Sequence, residues 1–438
     1  MNSMHRTVLF VAPEFPPCNL TAGHRTRLFV RHLPEFGYRP VVLTLRPESY
    51  ETKIDPELMN LVAPGAEIVR TRALPVRPVR PVRLIGDLGI RSFPFHLAAV
   101  RKLVRTHGVD LIYIPIPPNY SSLLGPLSRF LFRVPFAIDY IDPWIYRPTA
   151  DEWRSPKSLA SHALSRLLEP LAVCGVAGIT GVAEGYYAGA LDRHPRLRNL
   201  PLAAIPYGGE AMDFQYVRDH LRPSRLLAQP ELSGKLVLTY GGAILPRAHG
   251  TLRSLLLSCA RWKQSGDPLA ERVALLFVGT GRRPTDPGSG VVAPIARECG
   301  ADHFVTEIAD RQPFIDVLSL LTQSHAVMVL GSSDPYYTAS KTFQALQSRR
   351  PILALLHAAS SAAGILNGLP GVAQIRFDDT RPVEGCHADI VQALRQMASA
   401  SSEPVDRDMA TLDEYSARAM TRRLAAFFDD VLRTRIRS

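Results

Sequence analysis

Apolar residues in this chain gather into short unbroken runs, and the stretches between them carry helical spacing. "TVLFVA" (7 to 12) is the first run, and it ends in prolines as a buried parallel strand would. "AGHRTRLFVRHLPEFG" follows, with Leu28, Phe29 and Leu33 at helical spacing and Gly37 as its closing cap. The runs "PVVLTL" (40 to 45), "AEIVRT" (66 to 71), "DLIYIP" (110 to 115), "PFAIDY" (135 to 140), "VAGITGV" (176 to 182) and "LAAIPY" (202 to 207) continue the series. Helical patterns such as "FHLAAVRKLVRTHG" separate most of them. Strands alternating with helices predict βαβ units and a parallel sheet.

Near residue 208 the alternation pauses in a polar stretch without a strand pattern. It restarts with "LVLTYGG" (236 to 242) and continues through "ALLFVGTG", "DHFVTE", "HAVMVLG", "PILALL" and "VAQIRF", the last ending at 377. The prediction is an α/β chain of two tandem Rossmann-like domains, residues 1–207 and 235–407, joined by a linker at 208–234. "MATLDEYSARAMTRRLAAFFDDVLRTR", within 408–438, reads as a C-terminal amphipathic helix.

Composition narrows the function classes. A chain of 438 residues is too long for one ordinary core. The hydrophobic fraction of 46% and charged fraction of 21% exclude a disordered protein. Lys and Arg number 51 against 40 Asp and Glu, so the formal charge of +11 favours an anionic partner. Nucleic acid is the weakest of these, because no basic motif is interleaved with aromatics. The five cysteines lie far apart without a C-x-x-C pair, which implies a reducing cytoplasm. "TVLFVAP" is too short for a signal-peptide core, and "PLAVCGVAGITGVA" falls short of the ~18 residues a bilayer span needs. The expectation is a soluble or peripheral protein.

Doubly wound domains hold ligands beyond the carboxyl ends of their strands. Three loops there combine small residues, backbone N–H groups and a basic side chain, which is the chemistry a phosphate needs. They are "PEFPPCNLTAGHR", "GGAILPRAHG" and the stretch leading into "YYTASKTFQALQSRRPIL" (336 to 353).

The order of these motifs resembles that of GT-B glycosyltransferases of the family 4 type, which build bacterial surface polysaccharides. The resemblance rests on "VLFVAPEFPP…GHRTRLFVRHLPEFGYRPVVLT", "PFAIDYIDPW", "GVAGITGVAEGY", "IPYGGEAMDF", "LTYGG", "LLFVGTG" and "SKTFQALQSRRPI", which together span most of the chain. It implies a nucleotide-diphosphate sugar as donor, held mainly by the C-terminal domain, and a glycan or lipid-linked acceptor held by the N-terminal one. It also implies retention of anomeric configuration, with the leaving phosphate as base, and neither a metal nor a cofactor. Ser340 and Lys341 match the serine and lysine of the family's donor-binding helix. Gln344 stands where the second glutamate of its E-x7-E pair belongs, and Tyr336 takes the place of the first, with Asp334 two residues earlier. Gln can hydrogen-bond a ribose hydroxyl, but more weakly than a carboxylate.

In the loop after "LTYGG", Ala243 replaces the family's arginine and His249 its lysine, leaving Arg247 to supply positive charge beside Gly241 and Gly242. On the acceptor side, Gly23, His24 and Arg25 match a glycine-containing loop set against the diphosphate and acceptor. His24 and Asp142 are the catalytic candidates. These two and the donor-binding Lys341 also have plainer readings: His24 as a helix cap, Asp142 as a turn former before Pro143, and Lys341 as a solvated first-turn lysine.

"DRD" at 406 to 408 fits a metal-binding D-x-D, but it precedes the C-terminal helix and reads as its N-cap. "RTRALPVRPVRPVRLIGDLGIR" (70 to 91) is either a solvated loop or a contact for an anionic surface at the inner face of the cell membrane. Two rivals stay open: a non-catalytic GT-B module that binds a nucleotide or partner, and a sugar-nucleotide epimerase. An epimerase needs acid and base groups flanking the sugar, and no convincing set of them is present.

Overall fold

The computed structural model describes residues 5–75, 88–145, 156–281, 290–333, 341–399, 403–407 and 413–437. The chain forms two compact units, residues 1–208 with 414–438, and residues 209–413. Each is an α/β layer structure around one parallel sheet.

The first sheet contains β1 (Arg6–Val11), β2 (Tyr38–Leu45), β3 (Glu67–Thr71), β4 (Val109–Ile116), β5 (Phe136–Tyr140), β6 (Gly178–Gly181) and β7 (Leu202–Ala204). Their order is β3-β2-β1-β4-β5-β6-β7, parallel throughout. The second contains β8 (Leu236–Gly241), β9 (Val273–Val278), β10 (Val305–Ile308), β11 (Ala326–Leu330), β12 (Ile352–His357) and β13 (Val372–Phe377), ordered β10-β9-β8-β11-β12-β13. Every strand expected from the apolar runs is present. The runs are continuous rather than alternating because helices cover both faces, as the full burial of β9, β11 and β12 shows.

The strand order reverses between β1 and β4 in the first sheet and between β8 and β11 in the second. At such a switch point the flanking connections leave to opposite faces and open a crevice at the strands' carboxyl ends. The loops singled out in the sequence leave from these positions.

In the first unit, one core layer sets Val100, Leu103, Leu124, Tyr187 and Leu191 against one face of the sheet. The other joins helix Thr21–His32 to helix Ala417–Arg437, whose Phe428 meets Phe10, Tyr38 and Tyr113 edge to face at 5.2–6.5 Å. The C-terminal helix thus completes the N-terminal unit. Glycine permits this: a Cβ at Gly178 would lie 2.7 Å from Phe427 and Val431, and one at Gly208 only 2.4 Å from the Ala417 backbone nitrogen. The stretch expected to be a linker is also structured. Helix Ala211–Asp219 buries Phe214 and Val217, and Leu226, Leu227 and Leu232 pack on the second sheet.

The N-cap expectation for residues 406–408 is overturned. The C-terminal helix begins at Ala417, where the Ser416 hydroxyl accepts the Ala419 N–H at 3.1 Å. Arg407 is buried and donates to the carbonyls of Arg350 and Pro370 at 2.7 and 3.0 Å. Burial pushes its guanidinium down to about 10.

Candidate functional site

In the first unit, the loop after β1 runs into helix Thr21–His32. A Cβ at Gly23 would sit 3.3 Å from the carbonyls of Glu14 and Cys18, so glycine allows the helix to close on the loop. His24 Nε2 lies 2.9 Å from Asn19 Oδ1, while Asn19 Nδ2 donates to Asp55 Oδ2 at 3.3 Å. With the Asn19 amide oriented in this way, Nε2 is the donor of the pair.

Arg25 does not reach toward a donor, and that expectation is corrected. Its Nε and Nη2 donate to the two oxygens of Asp139 at 2.7 and 3.1 Å, both groups fully buried. Thr180 Oγ1 donates to Asp139 Oδ1 at 2.8 Å, and Tyr113 reaches Thr180 at 2.7 Å. Burial opposes the charge on Arg25, but Asp139 outweighs it and the guanidinium stands above its ordinary pKa. The pair fastens the helix to the carboxyl end of β5. Asp142 lies just beyond that strand and is exposed.

Sequence reading missed a cavity of about 530 Å³ beyond β2 and β3, lined by Arg46, Arg72, Arg91, Glu48, Tyr50 and Ser49 among others. Its signal was the basic residue directly following each strand. Arg91 is buried and bound to Glu51 at 2.7 Å and to the Leu74 carbonyl at 2.8 Å. Arg70 donates to the carbonyls of Leu45 and Pro16. Two arginines of the 70–91 stretch therefore hold the protein together, while Arg77, Arg80 and Arg83 lie outside the described residues.

In the second unit, the loops leaving β8, β9 and β10 converge. Gly242 N–H donates to the Val278 carbonyl at 2.7 Å, and Gly279 N–H to Ile308 at 2.8 Å. Gly242 has φ +119°, and a Cβ there would lie 2.6 Å from Lys341 Cε. Glycine is thus required twice, for its conformation and for the lysine stem that crosses it. Lys341 opens helix Lys341–Gln347, and its ammonium stands 5.3 Å from the centroid of the Tyr240 ring. Among the described residues no carboxylate pairs with it.

Gln344 follows one helical turn later and is half-buried. Arg247 is exposed, and its carbonyl accepts the Ser333 N–H at 3.4 Å, which links the loop after β8 to the one after β11. Gly241 serves packing instead, since a Cβ there would meet Val317 at 2.9 Å. Ser340, Tyr336 and Asp334 lie outside the described residues. The Glu307 carboxylate was not foreseen. It accepts the N–H groups of Val291, Val292 and Ala293 at 2.7–3.0 Å and the Thr280 hydroxyl, so it anchors the segment after β9.

No family model matches the sequence, and no curated protein does. Solved structures do. A glycosyltransferase from Rickettsia africae aligns over 98% of both chains with a TM-score of 0.57 at 13% identity. Sucrose-phosphate synthase from Thermosynechococcus elongatus aligns over 98% of this chain and 100% of its own, at 0.61 and 13%. Anabaena HepE, crystallised with UDP and glucose, aligns over 97% and 100%, at 0.57 and 15%. The fold is GT-B. In the GT-B chain described here, Lys341 and Gly242 sit at the switch point of the C-terminal sheet, and His24, Arg25 and Asp139 beside that of the N-terminal one.

Proposed function

We propose that this chain is a glycosyltransferase that moves a sugar from a nucleotide-diphosphate donor to a glycan or lipid-linked acceptor in polysaccharide or glycoconjugate biosynthesis. One observation carries the reading. A half-buried lysine without a carboxylate among the described residues lies across a glycine at the ligand end of β8 and β11. A diphosphate supplies the missing negative charge, and the Gly242 backbone leaves room for it to approach. HepE, of the same fold, binds UDP-glucose.

In this reading the second unit holds the donor. Lys341 and Arg247, with Ser340, meet the charge that grows on the leaving diphosphate, the largest barrier to breaking the glycosidic bond. The configuration is retained, with the departing phosphate taking the acceptor proton, so no protein base is needed. Gln344 hydrogen-bonds ribose or sugar. The first unit holds the acceptor, with His24 and Asp142 at its ligand end, in a cytoplasmic protein peripheral to the inner membrane face.

A second reading has its own observation. Gln344 and Tyr336 replace the acidic pair expected of the family, which favours a nucleotide-binding module without turnover. Incubating the purified chain with a panel of nucleotide sugars and measuring nucleotide release separates the two. Release from one donor establishes the enzyme, whereas tight binding without release from any establishes the module.

A further inference from the structure

Three helices of the first unit lie side by side: Leu88–His107 packs on Leu124–Phe132, which packs on Pro156–Ala172. Each runs antiparallel to the sheet, so their carboxyl-terminal halves gather at the amino ends of β4, β5 and β6, away from the ligand end. There, apolar side chains face water: Phe130 is 82% exposed, Leu167 67%, Leu171 56% and Leu131 50%. Leu167 and Leu171, four residues apart, share a helix face. Arg129 ties the ends of two of the helices together by donating to the Gly175 carbonyl at 2.6 Å. Isolated exposed leucines need no explanation, but a cluster on adjoining helix ends does.

The exposed charge on these three helices has one sign. Arg101, Lys102, Arg105, Arg129, Arg133 and Arg166 are all exposed. The three helices contain a single carboxylate, Glu169, which is 1% exposed and bound to Arg193 at 2.6 and 2.7 Å. Bordering acids are also engaged. Glu67 accepts from Arg39 and His107, and Asp110 accepts the Thr7 N–H.

From this arrangement we infer that the first unit docks on an anionic lipid surface through these helix ends. Phe130, Leu131, Leu167 and Leu171 enter the headgroup layer, and the six cations meet lipid phosphates. A second copy of the chain is the poorer occupant. Face-to-face pairing would set six cations against six, and the three helices offer no exposed carboxylate to neutralise them. The inference gives the membrane part of the proposed function its surface, in place of residues 70–91, and does not depend on the transfer chemistry.

Vesicle co-sedimentation of the full chain tests it. The protein is expected to pellet with phosphatidylglycerol–phosphatidylcholine vesicles, to stay in solution with phosphatidylcholine alone, and to be released by high salt. The combined variant Phe130→Ser, Leu167→Ser, Leu171→Ser should lower partition about tenfold or more. Because those side chains are exposed, its melting temperature should stay that of the parent. Phe130→Trp gives a second readout: its emission should shift to the blue on anionic vesicles and be quenched by brominated lipid. The variant Arg77→Glu, Arg80→Glu, Arg83→Glu should still bind. If that variant loses binding while the triple serine variant keeps it, the helix ends are overturned in favour of residues 70–91. A Phe130→Trp emission unchanged by vesicles, or a dimer in solution that the serine substitutions dissolve, overturns it too. Nucleotide release without vesicles reports on the transfer reaction separately.

Discussion

Arg25 and Asp139 form a two-pronged ion pair at 2.7 and 3.1 Å inside the first unit, on residues 114 positions apart in the chain. Neither side chain reaches solvent. The pair stands where sequence reading placed a ligand contact, and its chemistry is that of a brace. Removing one partner leaves a buried charge uncompensated, which costs ~3–5 kcal/mol. Arg25→Met and Asp139→Asn should each lower unfolding free energy by that order in urea titrations. The double variant should lose less than the sum of the two. Additive losses would show that the two groups are not coupled.

Lys341 is expected to act on the diphosphate. Lys341→Ala should weaken binding of the donor's nucleoside diphosphate by ~1.5–3 kcal/mol, the worth of a charge-assisted hydrogen bond, and leave the matching nucleoside nearly unchanged. Isothermal calorimetry with both ligands reads the difference. Equal weakening would assign Lys341 to packing over Gly242 and Tyr240 instead.

Gln344 distinguishes an active donor site from a silent one. Gln344→Glu restores the residue expected of the family and should preserve or raise turnover. Gln344→Leu should cost ~1–3 kcal/mol of donor binding by leaving a polar group unmet. Identical behaviour of both variants and the parent would place this helix face away from the donor.

His96 gives the fold an acid sensitivity. It is wholly buried in helix Leu88–His107, and burial pushes its imidazole down to about 4 from the ordinary 6.5, against a smaller opposing contribution from the Thr44 backbone. The unfolded chain then binds a proton that the folded one refuses. This contribution to stability is complete above pH 6.5 and declines as pH falls toward 4. The difference amounts to about 2 kcal/mol at pH 5. Replacement by a non-titrating residue, His96→Phe, should flatten the melting-temperature profile between pH 7 and pH 5. A profile as steep as the parent's would assign the acid sensitivity to other groups.

The strands were legible because short continuous apolar runs such as "ALLFV" and "ILALL", bounded by turn residues, suit a strand covered on both faces. The loops that matter were legible too, since alternation implies parallel strands and ligands gather at their carboxyl ends. Lys341 and Gly242 emerged from that reasoning with the resemblance beside it.

Other decisions were made by contacts between residues far apart in sequence. The helix at Ala417–Arg437 was readable as amphipathic, but not as the missing layer of the N-terminal unit, because periodicity says which face is apolar and not what covers it. An arginine at a helix start reads the same whether it meets a phosphate or a buried Asp139, and only the register of β5 against helix Thr21–His32 decides. Gly242 carried no sign in sequence that a lysine nearly a hundred residues later would cross its missing side chain. Sequence by itself thus determined the elements, their order and the end of each sheet that receives a ligand, because those depend on local pattern. Tertiary structure alone decided which charged groups brace the fold and which remain for an anion, because charge pairing depends on distances that no pattern along the chain encodes.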